Sequence, residues 1–255
     1  MSSSPYRDAV TYDRISAPLE RIGNEVLARL DLAGDETVLD AGCGSGRVTQ
    51  WLVERLPHGR VICVDGSPEM LAVARQRLGP SVDYLLQDLN ELDLSGRRVD
   101  AVFSTATFHW LADHDRLFAR LRAVLAPGGR LVAQCGGTGN TAELVAAARA
   151  AGDLGLFAAR LGGWPGPWNF VGPDETTARL AAAGFTEIST WLVRRPAPFD
   201  DLREWLRANA LTAHLERLPT GLHGPFVDAV ADRLGPDPEI SYIRLNIDAA
   251  AAGGA

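Results

Sequence analysis

The stretch Val38-Leu39-Asp40-Ala41-Gly42-Cys43-Gly44-Ser45-Gly46 decides the fold. It reads as a short buried strand with a carboxylate near its end, then glycines at alternate positions that open a helix. Glycine has no Cβ and adopts positive φ freely, so a ligand can lie directly on the backbone of such a turn. The helix that follows, Arg47 to Leu56, presents unpaired N–H groups at its start. A strand running through a glycine loop into a helix is a common seat for nucleotides and nucleosides. The spacing of the glycines separates the candidates. A dinucleotide fingerprint runs G-x-G-x-x-G, with a small third residue where helix packs on strand. Here Gly42, Gly44 and Gly46 leave Arg47 at that third place, and Asp40 is a poor neighbour for a pyrophosphate. A carboxylate there suits a ligand that carries positive charge.

The same logic repeats downstream. Arg60 to Asp65 is a second β-branched strand ending in an acid, about twenty residues past the turn, where a carboxylate takes ribose hydroxyls. Gly66 follows, then Ser67 as a helix N-cap, Pro68 at the first helical position and Met70 just inside. Val82 to Leu89 is a third strand, ending at Asp88-Leu89. Strand-like runs at 37–41, 60–65, 82–87, 99–104 and 129–135 alternate with helical patterns at about 17–31, 45–56, 69–79 and 113–124. Such alternation predicts a parallel sheet covered by helices on both faces through right-handed crossovers. Ligands then sit at the C-terminal strand ends, where Asp40, Asp65, Asp88 and Thr105 all fall.

Composition narrows the partners. With 25 Lys and Arg against 32 Asp and Glu, the net charge of −7 disfavours nucleic acid, and no basic run offsets it. No apolar run has membrane length and the N-terminus is polar, so no membrane partner is expected. Cys43, Cys63 and Cys135 show no metal spacing and read as reduced residues of a cytoplasmic protein. No metal site is expected. Oligomeric state is left at monomer or homodimer.

The D-x-G-x-G-x-G pattern of Asp40, Gly42, Gly44 and Gly46 resembles motif I of the class I S-adenosylmethionine-dependent methyltransferases, and the resemblance covers nearly the whole chain. Within that class, Tyr12-Asp13-Arg14, the run Phe103 to Leu111 and the closing strand look like the trans-aconitate methyltransferase-like branch. The resemblance implies a Rossmann-like α/β fold: a seven-stranded, mostly parallel sheet with helices on both faces and helical cap insertions. It divides the chain into an N-terminal lid and first helix (1–35), a core that binds S-adenosyl-L-methionine (36–136) and a cap insertion (137–173). The rest of the core (174–248), with a helical insertion at 199–235, and a disordered tail (249–255) complete it.

For the cofactor it implies Tyr12, Asp40, Gly42, Gly44, Gly46, Asp65, Gly66, Ser67, Met70, Asp88, Leu89 and Thr105. The implied reaction moves a methyl group to a small-molecule acceptor, at the oxygen of a carboxylate or hydroxyl. C- or N-methylation of a secondary metabolite, a non-catalytic S-adenosylmethionine-binding protein and a nicotinamide-dependent reductase stay open as alternatives. His109, just past the fourth strand, is the best-placed general base, or else a packing residue. Trp164, Trp168 and Phe170, on a Gly/Pro-rich loop, read as an aromatic lid over the acceptor or as anchors of that loop. Arg160, Arg194, Arg195 and Arg244 are candidates to clamp an acidic acceptor. His58, His114, His214 and His223 read as surface or loop residues.

Overall fold

A computed structural model describes residues 17–195 and 201–253 of the chain. Seven strands form one sheet in the order β3-β2-β1-β4-β5-β7-β6. They are β1 (Thr37–Ala41), β2 (Arg60–Asp65), β3 (Asp83–Leu86), β4 (Val99–Thr105), β5 (Leu125–Gly136), β6 (Phe185–Arg195) and β7 (Tyr242–Ala251). The first five are parallel, and β7 runs antiparallel between β5 and β6. The order reverses between β1 and β4, so a crevice opens at their C-terminal ends, the position where open α/β sheets bind ligands.

Helices α1 (Ala17–Leu27), α2 (Arg47–Glu54) and α3 (Pro68–Leu78) alternate with the early strands; α4 (His114–Val124) and α7 (Pro173–Ala182) follow later. The central strands β1, β2 and β4 are largely buried and apolar on both faces, as a doubly covered parallel sheet requires. On one face Val38, Val61, Phe103 and Val132 pack against Val26 of α1, Leu30 just past it and Leu52 of α2. On the other, Leu39, Ile62, Val102 and Leu131 meet Leu117, Phe118 and Leu121 of α4 and Leu180 of α7. Helix α3 starts as read: Ser67 Oγ accepts the Met70 N–H at 3.1 Å, with Pro68 in the first turn.

A third core lies apart from the sheet. Helices α5 (Ala142–Gly152) and α6 (Ala158–Leu161) come from one insertion. Helices α8 (Leu202–Trp205), α9 (Thr212–Glu216) and α10 (His223–Leu234), with a π-turn at Leu206–Ala210, come from the other. Leu144, Ala148 and Phe157 of the first segment bury themselves against Leu206, Phe226 and Val230 of the second. Two segments distant in sequence therefore make one helical cap.

Two expectations are corrected. The fifth strand starts at Leu125 rather than 129, because its register with β4 slips between Val99↔Leu125 and Ala101↔Arg130, leaving 126–129 as a bulge. The closing strand runs on to Ala251, into the stretch expected to be a disordered tail. Ala249 and Ala251 pack into the core and Ala251 pairs with Phe185, so even alanines gain by continuing the ladder. Among the described residues no helix is long and apolar enough to cross a membrane.

Candidate active site

The glycine turn is tied to its neighbours by backbone bonds. Gly42 N–H and Cys43 N–H both donate to Val64 O, at 2.8 and 3.1 Å. Gly42 has φ +82°, and a Cβ there would lie 2.3 Å from Thr107. The Thr107 hydroxyl donates toward Gly42 O (3.2 Å) and Thr105 O (3.0 Å), and Ser104 Oγ donates to Ala41 O at 2.6 Å. The end of β4 thus holds the end of β1 in place. Gly46, also at positive φ, lets α2 approach Ala74 and Leu78 of α3. Gly44 differs: its φ is +55° and nothing lies within 4 Å of where a Cβ would point. That open space over bare backbone, with Gly66 nearly as open, fits a ligand lying along the turn.

Asp65 joins this turn to the next. Its Oδ2 accepts Gly44 N–H and its Oδ1 accepts Ser67 N–H, both at 2.8 Å. A carboxylate has about four lone-pair sites, so acceptor capacity remains for a diol. Burial pushes the Asp65 carboxyl above the usual range, against the pull of those backbone N–H groups. Asp40 sits deeper, 3% exposed, and its Oδ2 accepts the Thr49 hydroxyl of α2 at 2.7 Å. Burial pushes its carboxyl up to about 7; the Thr49 bond opposes this and the charge of Asp65 adds to it.

The other expected cofactor residues divide. Asp88 is exposed and caps the Asn90 N–H at 2.9 Å, whereas the Leu89 and Met70 side chains are buried. Leu86, 55% exposed at the end of β3, pairs in register with Asp65 and offers an apolar surface beside it. Thr105 lies at the end of β4, opposite Gln134. Tyr12 lies outside the described residues.

Past β4, a cavity of about 80 Å³ opens between the sheet edge and the cap, lined among others by Ala106, His109, Trp110, Trp168, Phe170 and Arg244. Ala106 (φ +55°) and Thr141 (φ +48°), both in its wall, are non-glycine residues in the left-handed region, the kind of strain that gathers at functional sites. His109 is buried, and its Nδ1 accepts the Gly136 N–H at 3.2 Å. The neutral ring therefore carries its proton on Nε2. Burial, with Arg244 and His114 nearby, holds this imidazole well below its usual range. Phe170 stacks on it at 5.7 Å and Trp168 on Phe170 at 5.9 Å.

Trp164 does not join them. It packs on His214 and beneath the Arg217 guanidinium, away from this cavity. His214 and His114, read as surface residues, are buried; His214 is pushed down to about 4 by burial and, second, by Arg217. Of the four arginines, Arg160 is exposed and Arg195 pairs with Glu25, while Arg244 reaches the cavity at 3% exposure. Arg244 Nε donates to Gln134 Oε1 at a long 3.4 Å, and its guanidinium lies 4.9 Å from the Tyr242 ring centroid. Among the described residues it has no carboxylate partner. Thr107, Gln134 and Tyr242 were not singled out from sequence. The alternation Tyr242-Ile243-Arg244-Leu245-Asn246-Ile247-Asp248 is the signal that places a polar ladder on one face of β7.

Residues 38–129 match the family described as Methyltransferase domain. The chain is 32% identical over 231 residues to the trans-aconitate 2-methyltransferase of Azoarcus sp. (strain BH72), covering 88% of each. It is 35% identical over 190 residues to the malonyl-[acyl-carrier protein] O-methyltransferase of Geobacter sulfurreducens, covering 73% of this chain and 70% of that one. In fold it is similar to Haemonchus contortus phosphoethanolamine N-methyltransferase 2, solved with S-adenosyl-L-methionine, at a TM-score of 0.64, 19% identity, and coverage of 96% of this chain and 57% of that one. The chain belongs to the class I S-adenosylmethionine-dependent methyltransferases, in the trans-aconitate methyltransferase-like branch. It is an enzyme, and S-adenosyl-L-methionine is its cofactor.

Two predictions follow from the turn. Gly42→Ala meets both a steric clash and a backbone penalty and is expected to lose about 2–4 kcal/mol in urea denaturation. Gly44→Ala loses only about 1–2 kcal/mol but weakens S-adenosylmethionine binding, read by calorimetry, because its methyl enters the open space. Wild-type affinity in Gly44→Ala would contradict this placement. The second concerns Asp40. Its folded-state pKa lies above the ordinary value near ~3.9, so the folded state holds the proton more tightly and stability falls as pH rises from about 4 to about 7. Asp40→Asn should therefore melt higher than wild type above pH 7, with the gap closing toward pH 4. Binding of the cationic cofactor should tighten from pH 6 to 8 in wild type and change less in the variant.

Proposed function

We propose that the enzyme transfers a methyl group from S-adenosylmethionine to a carboxylate oxygen of a small-molecule acid. The observation that carries this reading is Arg244: a buried guanidinium facing the cavity with no carboxylate partner among the described residues. Arginine stays charged in folded proteins, and a buried charge left unpaired costs several kcal/mol. A site that bears this cost suits an anion. The names of the two relatives, which act on trans-aconitate and on a malonyl group, point the same way.

S-adenosylmethionine, when bound, supplies a methyl group already activated on a sulfonium. Asp65 accepts the ribose hydroxyls, the Gly44 and Gly66 backbones lie against the ligand, and Leu86, Met70 and Leu89 supply apolar surroundings for adenine. Asp40 contributes negative charge behind the turn. Arg244 anchors the acid, and the aromatic walls of Trp110, Trp168 and Phe170 exclude water, which strengthens that attraction. His109 offers its Nε2–H as a second donor. The general-base role expected for it does not suit this geometry, because Nδ1 is occupied and Nε2 already carries a proton. A carboxylate needs no base, whereas a phenol or an ammonium does; the reaction then rests on proximity and alignment.

Arg244→Met is expected to raise KM for a carboxylate acceptor by about tenfold or more, with the KM for S-adenosylmethionine unchanged. His109→Gln, which keeps an N–H donor, should retain turnover within about fivefold, without a histidine inflection between pH 6 and 8. A wild-type inflection in that range that disappears in the glutamine variant would restore the base.

A further inference from the structure

Beneath Arg244 the polar ladder of β7 continues into the interior. Asn246 faces Gln134 across the β5–β7 pair, and Gln134 Nε2 donates to Asn246 Oδ1 at 2.9 Å. Arg29, just past α1, donates to the same Asn246 oxygen and, at 2.8 Å, to Ala133 O; its Nε lies 3.3 Å from Asp248. A guanidinium can only donate. Arg29 therefore fixes Asn246 with its oxygen inward, Asn246 in turn requires an N–H from Gln134, and Gln134 is left with Oε1 toward Arg244. The charges sort along the same line. Arg29 is balanced by Asp248, the two amides carry no charge, and Arg244 at the cavity end is unbalanced among the described residues.

We propose that Gln134 is a positioning and specificity residue for the acceptor: held by Asn246 and Arg29, it orients Arg244 toward the cavity and, being an amide rather than a carboxylate, leaves that positive charge free for an anionic substrate. This rests on the reading of the cavity as an anion site. A glutamate at 134 would have nearly the same shape and would accept from Arg244 better, though it would give up the N–H that Asn246 Oδ1 takes. What glutamate would remove is the net charge at the cavity. The side chain touches Arg244 and Asn246, not the reacting atoms, and only its backbone carbonyl meets the acceptor wall, accepting the Ala106 N–H at 2.7 Å.

The test is calorimetry of the protein saturated with S-adenosylhomocysteine, titrated with malonate as a small dicarboxylate and with malonamide as its uncharged counterpart. Wild type should bind malonate and not malonamide. Gln134→Glu should lose malonate affinity by about tenfold or more while S-adenosylhomocysteine affinity, the control for folding, stays at the wild-type value. Should the glutamate variant fail to bind S-adenosylhomocysteine, Gln134→Met decides instead. It keeps the charge but releases Arg244, and a loss of about threefold to tenfold is expected. Malonate binding at wild-type strength in Gln134→Glu, or in Gln134→Met if that variant is needed, overturns the role of Gln134 while leaving the anion site standing. Failure of wild type to prefer malonate over malonamide overturns both.

Discussion

One carboxylate ties together the two turns at the C-terminal ends of β1 and β2. Asp65 accepts the N–H of Gly44 from the turn after β1 and the N–H of Ser67 from the turn after β2. Both turns lead into helices whose first N–H groups have no intrahelical partner, so the bonds also satisfy donors that would otherwise face the cleft. Gly42 must be a glycine for the chain to pass Thr107, and Thr107 and Ser104 then fasten β4 to the carbonyls of β1. These bonds within the chain shape the cleft and leave open backbone at Gly44.

The cavity past β4 is built differently. It is closed by a helical cap assembled from two insertions, and its wall is aromatic rather than glycine-rich. A stack running from His109 through Phe170 to Trp168 and on to His214 joins the cavity to the cap core. Burial holds the His214 imidazole below its usual range inside that core, and among the described residues Arg244 is the arginine that lines the cavity.

Much of this was legible in the chain. The β-branched runs ending in acids gave the parallel strands, and the alternate glycines gave the cleft, because both are local rules of backbone geometry. What escaped the reading depends on register and tertiary packing. The extension of β7 to Ala251 rests on pairing with Phe185, which no local propensity of alanine announces. The position of Trp164 away from the cavity, and the burial of His114 and His214, follow from how two distant insertions meet. The hydrogen bond to His109 Nδ1 comes from the N–H of Gly136, at the end of a different strand. Gln134 is unremarkable in sequence and acquires meaning only through its cross-strand neighbour and Arg29.

The most direct measurement of the central claim is the identity of the methylated bond. The enzyme would be incubated with S-adenosylmethionine and a mixed panel of small carboxylic acids, phenols and amines, and the products resolved by mass spectrometry before and after mild alkali. Methyl esters, formed from the acids alone and cleaved by alkali, are the predicted result. Alkali-stable ethers or N-methyl products, with no ester among them, would contradict it.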